Sequence, residues 1–202
     1  TDFIGFEQNY DKCGFWHYYS CSNGKNFRYL QHVFSFLLYK NIGSDTLIWY
    51  FLYSLAHAIT AFLWYKVARH FLVLINQKHH EFLAFIMAVL FLLSPYQSEV
   101  VVWRVCIQYN TICICLLCSV LLFMKDIEKP NIKYPFYCTL LFIVGLLSIE
   151  QIVVMPYFIL LVGLFYCMKD YSCTNLKRIL LVYFLPQHLI IALYFLMSKI
   201  VY

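Results

Sequence analysis

Long apolar runs, separated by short charged breaks, set the pattern of this chain. Apolar residues dominate positions 46–65, 81–93, 105–124, 134–149, 152–168 and 179–197, and the breaks carry Lys, Arg, His, Pro or Asn. A helix needs about 20 apolar residues to cross a bilayer, because its backbone N–H and C=O groups must all be satisfied inside the hydrocarbon. The pattern therefore predicts an all-α, polytopic membrane protein with about six transmembrane helices. The run at 81–93 is short for a crossing unless the turn before it is also embedded, and Asp45 stands where the first span would take its N-cap. Pro156 and Pro186 fall inside runs, where neighbouring groups must satisfy the freed backbone. No sequence period links the runs, so a repeat architecture is not supported.

Residues 1–45 read differently. Turn signals lie at Ser22-Asn23-Gly24-Lys25 and Asn41-Ile42-Gly43-Ser44. Between them, Leu30, Val33, Phe34, Leu37 and Leu38 recur at helical spacing, while Arg28, Gln31, His32 and Ser35 fall largely elsewhere on the wheel. This segment is too short and too polar to span, and predicts an interfacial amphipathic helix. The organisation expected is an outer-face loop over 1–45 and a single transmembrane domain over 46–202. The chain starts at Thr1 without Met, n-region or cleavage site, and is read as a fragment lacking at least one upstream span.

Composition agrees with the membrane reading: 63% apolar and 12% charged residues lie far from the roughly 45–50% and 25% of a soluble domain. The net charge of +5 forms no stripe on one face, which argues against nucleic acid as a partner. Topology accounts for it instead. When the six runs alternate in direction, one side receives Lys66, Arg69, Lys78, Lys125, Lys129, Lys133, Lys169, Lys177 and Arg178. The other side's two short loops receive only Arg104. The positive-inside rule makes the first side cytoplasmic, which puts Asp2, Glu7, Asp11, Asp45, Glu99 and Glu150 on the outer face. Most of the nine cysteines fall inside apolar runs and behave as small hydrophobes; Cys13 and Cys21, in polar outer sequence, either pair or stay free.

Candidate chemistry gathers in the segment 94–110, where Glu99, Trp103, Arg104, Gln108 and Asn110 stand between two apolar runs. Ionisable groups at a lipid boundary are costly unless they meet water, each other or a substrate. Carboxylates from separate elements can bind a divalent metal or take a proton from a hydroxyl, and loop residues touching headgroup water would look the same in sequence. Arg28 and Arg104 can grip a phosphate with a bidentate fork, or simply anchor the chain to headgroups. His57 forms one polar stripe with Tyr53 and Thr60, fit either for a bond to a neighbouring helix or for a substrate contact. Cys113 and Cys115 point about 200° apart on a helix, so the cluster they form with Cys118 is read as packing. His70, His79 and His80 are read as a solvated loop. No Gly-rich phosphate loop, G-x-S-x-G or H-E-x-x-H occurs.

The order of several short motifs resembles the polytopic C-type glycosyltransferases, in particular transmembrane O-mannosyltransferases and bacterial relatives of dolichyl-phosphate-mannose protein mannosyltransferases. The matching pieces are Asp2, Phe27-Arg28-Tyr29-Leu30, Leu55-Ala56-His57, Pro95 through Glu99 to Trp103, and Glu150 followed six residues on by Pro156. The chain departs from the pattern at Thr1, where a second acidic residue is usual, at Ile107 and Gln108, where a basic residue is usual, and at Ile149, where Lys is common.

The resemblance implies transfer of a sugar from a polyprenyl-phosphate donor to a hydroxyl of a protein, lipid or glycan acceptor, on the non-cytoplasmic face of a bacterial inner membrane or the endoplasmic reticulum. It implies Asp2 as general base or metal holder and Glu99 as its catalytic partner, with a divalent metal on Asp2 and Glu99 left open and no other cofactor expected. Arg28 or Arg104 would stabilise the departing phosphate, and His57, Trp103, Gln108 and Glu150 would contact substrate. Two rivals remain: a transporter or flippase-like protein with a polar path through the bilayer, and a non-catalytic membrane subunit of the same architecture.

Overall fold

A computed structural model of the chain describes residues 29–43, 45–94, 107–170 and 173–201. Among these residues every regular element is helical. In order they are α1 (Tyr29–Ile42), α2 (Thr46–Leu74), α3 (His80–Leu93), α4 (Ile107–Glu128), α5 (Lys133–Ser148), a 3-10 turn (Glu150–Val154), α6 (Met155–Asp170), α7 (Cys173–Ile179), a π-helical segment (Leu180–Phe184) and α8 (Leu185–Val201).

Local chemistry sets the boundaries. Gly43, at φ +65°, turns the chain out of α1 in the left-handed region that glycine enters without strain. Asp45 then caps α2 as expected, its Oδ1 accepting from the Leu47 and Ile48 N–H groups at 2.9 and 3.3 Å. The far end of α2 closes in a Schellman motif: Asn76 takes φ +58°, its N–H donates to Val73 O, and Gln77 N–H donates to Leu72 O. Pro156 falls in the first turn of α6, where a missing N–H leaves no bond unmade. Pro186 comes two residues after the end of the π segment at Phe184, whose wider turn gives the pyrrolidine ring room on the preceding carbonyls.

Four stretches are long and apolar enough to cross a membrane: Thr46–Leu74, Gln108–Glu128, Glu150–Met168 and Leu176–Met197. His80–Leu93 and Lys133–Ser148 are apolar but shorter. Three ends depart from the apolar runs: α2 continues nine residues beyond the expected end at 65, α4 four beyond 124, and the last helical stretch begins at Cys173, six before 179.

Side-chain contacts fix the direction of the helices. His70 near the end of α2 meets Glu128 at the end of α4 and Tyr166 near the end of α6, so these three helices run parallel with their C-termini together. Arg178, where the chain enters the last helical stretch, reaches Asp126 of α4 at that same end. It follows that Lys66, Arg69, Lys125 and Arg178 share a basic end of the bundle. Asp45, Gln108 and Ser148 lie at the opposite end. α4 packs most extensively on α5, and α2 packs on α3 and α4. The core sits between α4, α5, α6 and the π segment, built from Val120, Phe123, Phe142, Ile159 and Tyr183.

Candidate functional site

Asp2, Arg28, Glu99, Trp103 and Arg104 lie outside the described residues. His57, Gln108 and Glu150 lie within them, with Tyr53, Thr60 and Asn110 from the same sequence reading. The stripe on α2 faces inward: Tyr53, His57 and Thr60 are all buried. Thr60 spends its hydroxyl on the Ala56 carbonyl at 2.9 Å. His57 packs its ring 5.3 Å from that of Phe91 on α3, and neither ring nitrogen has a hydrogen-bond partner among the described residues.

Two amides at the start of α4 share that condition. Gln108 and Asn110 are 6% and 3% exposed, and Gln108 Oε1 and Asn110 Nδ2 have no partner among the described residues. The His70–Glu128 contact sets the register of the parallel helices α2 and α4, so a rise of 1.5 Å per residue puts His57 level with Cys115. Gln108 then lies about 10 Å, and Asn110 about 7 Å, nearer the bundle end than His57. An unsatisfied buried polar atom costs about 1–3 kcal/mol. Gln108 and Asn110, two residues apart on α4, point about 200° from one another and so lie on different faces of that helix, and His57 faces Phe91 of α3.

Beside Gln108 is a cavity of about 320 Å³ between α1, α4 and α5. Leu30, Val33, Phe34 and Leu37 form one wall, Val144 another, and Gln108, Thr111 and Ser148 supply its polar atoms. Ser148 bonds its hydroxyl to Val144 O at 2.8 Å, whereas Gln108 Oε1 has no partner among the described residues. Glu150 begins the 3-10 turn at this end and is half-buried.

The opposite end holds groups that the sequence reading placed in loops. Asp126 was assigned to the charged break after the third run; it belongs to α4 and is 2% exposed. Arg178 Nη2 lies 2.9 and 2.8 Å from its two oxygens, Tyr183 donates its hydroxyl at 2.8 Å, and Asn131 donates its N–H at 2.8 Å. The signal was present in the spacing, because Phe123 and Asp126 stand three apart on the face that buries Val120 and Phe123. His70, read as a loop residue, is helical; its Nε2 lies 2.7 Å from the Tyr166 hydroxyl and 3.3 Å from Glu128 Oε1. Gln187, which nothing in the sequence singled out, is fully buried on α8 with both amide atoms unpartnered among the described residues.

Among the described residues no group of three His, Cys, Asp or Glu side chains could hold a metal ion. The two residues considered for a metal, Asp2 and Glu99, lie outside them. Comparison with protein-family models, with curated proteins and with solved structures found no match to this chain.

Proposed function

We propose that the chain is a membrane-embedded glycosyltransferase that moves a sugar from a polyprenyl-phosphate donor to a hydroxyl acceptor at the non-cytoplasmic face. In this reading the bundle crosses the bilayer six times and α1 lies along the outer boundary. α3 and α5, about 21 and 24 Å long, fall short of a 30 Å hydrocarbon core and draw their flanking turns into the boundary or thin the bilayer locally. The basic end faces the cytoplasm.

The observation that carries the reading is the cavity at the end of the bundle opposite the basic one, whose polar lining is Gln108, Thr111 and Ser148 and where the buried Gln108 Oε1 has no partner among the described residues. A sugar is a dense array of hydroxyl donors and acceptors, and pairs such groups without needing a charge. His57 is also the residue on which the Leu55-Ala56-His57 motif ends. In the proposed reaction the acceptor oxygen attacks the anomeric carbon and passes its proton to Asp2. The bond from that carbon to the phosphate oxygen breaks, and the lipid phosphate leaves with the electron pair. Arg28 or Arg104 stabilises the charge growing there, while Glu99, Trp103 and Glu150 hold the sugar.

The test is transfer from a radiolabelled polyprenyl-phosphate sugar in vesicles carrying the chain. Asp2→Ala is expected to reduce transfer at least about 100-fold, the usual weight of a positioned acid or base, and Glu99→Gln to reduce it by loosening the hold on the sugar. His57→Leu is expected to weaken donor binding while raising the unfolding midpoint, since among the described residues neither buried ring nitrogen has a partner. Transfer that survives both carboxylate changes overturns the reading.

A further inference from the structure

A groove of about 420 Å³ runs between α4 and α5 on the outside of the bundle. Its α4 wall is Cys118, Leu121, Leu122 and Lys125, at the i, i+3, i+4, i+7 spacing of one helical stripe. Tyr137, Leu140 and Leu141 repeat that spacing on α5, which runs the other way. Because a short connection joins the two helices, both stripes carry their polar residue at the basic end. Lys133 stands one turn before Tyr137 on the same face of α5, and Lys125, Lys129 and Lys133 are all exposed. Each nearby carboxylate faces a basic side chain of another element. Asp126 is buried under Arg178, and Glu128 lies against His70.

We propose that this groove binds one anionic glycerophospholipid of the surrounding bilayer. An acyl chain lies along the leucine stripes, and the headgroup phosphate accepts from Lys125, Lys133 and the Tyr137 hydroxyl. The apolar shaft from Cys118 to Lys125 is about 10 Å long. Long lysine stems lie along such a surface while their ammonium groups stay at headgroup depth. Charge selects the occupant: a zwitterionic lipid brings its own cation to the lysines, and a second copy of the chain would bring the same lysines. This assignment does not depend on sugar transfer.

Native mass spectrometry of the full chain in detergent, titrated with phosphatidylglycerol or phosphatidylcholine, tests it. The expected result is one retained phosphatidylglycerol, held about 25-fold more tightly than phosphatidylcholine, the product of two lysines at about fivefold each. Lys125→Gln lowers phosphatidylglycerol retention by about fivefold and Lys125→Gln with Lys133→Gln by about 25-fold, which abolishes the preference, with phosphatidylcholine unchanged. Leu121→Trp with Leu140→Trp fills the shaft and removes the retained lipid while helix content by circular dichroism stays constant. Equal retention of the two lipids, or a preference that survives the double lysine change, overturns the proposal.

Discussion

Asp126 accepts from Arg178, Tyr183 and the Asn131 backbone, and so ties α4, the turn after it and the last helical stretch together at one point. Breaking a buried ion pair from one side leaves the remaining partner desolvated, which costs more than the pair contributes when intact. Arg178 is a third exposed and water can recover part of its loss, so the expected cost sits at the lower end for charged hydrogen bonds. Arg178→Met is expected to destabilise by about 2 kcal/mol and Asp126→Leu by somewhat more, because Asp126→Leu also strands Tyr183. The two together are expected to cost less than their sum, with a coupling of about 1–2 kcal/mol in a double-mutant cycle of unfolding in mixed detergent. Additive losses would mean that the 2.8–2.9 Å geometry contributes no net coupling.

At the scale of elements, the close approach of α5 to the 3-10 turn rests on a missing side chain. A Cβ on Gly145 would meet Ile152 Cγ1 at 2.8 Å and Ile152 Cβ at 3.3 Å, and Ile152 is itself fully buried. Gly163 also faces a tight neighbour, but the nearest atom there is Ile179 Cδ1, the free end of a side chain that can swing. Overpacking typically costs about 1–3 kcal/mol, while alanine is about 1 kcal/mol better than glycine in a helix interior. Gly145→Ala is therefore expected to lower the thermal midpoint in detergent, and Gly163→Ala to lower it less. Ile152→Val in the Gly145→Ala background does not recover the loss, because the Cγ1 and Cβ atoms in conflict remain present as equivalents; Ile152→Ala recovers part of it. Neither glycine was legible in the sequence, since both look like ordinary small residues within apolar runs. The Asp45 cap was legible, because its chemistry is local. The end of α2 was not: Lys66, Arg69 and His70 look like a solvated break until Glu81, Glu128 and Tyr166 arrive from other elements and keep that last stretch helical.

For the whole molecule, apolar runs and basic breaks carried most of the fold, because lipid solvation acts on each segment independently. The candidate site was only partly legible. His57 and Gln108 announced themselves as polar residues beside apolar runs, but which of their atoms find a partner among the described residues depends on how the helices pack. The parallel ends of α2, α4 and α6 add a constraint on topology that hydropathy lacks. The chain must return between α2 and α4, and again between α4 and α6, and α3 and α5 are the helices available for those returns. A six-crossing bundle therefore exposes Lys78, Lys129 and Lys177 on one side of the membrane and Lys40 on the other. A membrane-impermeant amine reagent applied to sealed vesicles of each orientation, with peptide mass spectrometry as readout, checks this on the unaltered chain. The expected outcome is that Lys78, Lys129 and Lys177 are modified together in inside-out vesicles, and Lys40 only in right-side-out ones. Modification of Lys129 together with Lys40 would leave α4 or its neighbours short of a crossing, and would remove the non-cytoplasmic placement on which the sugar-transfer proposal depends.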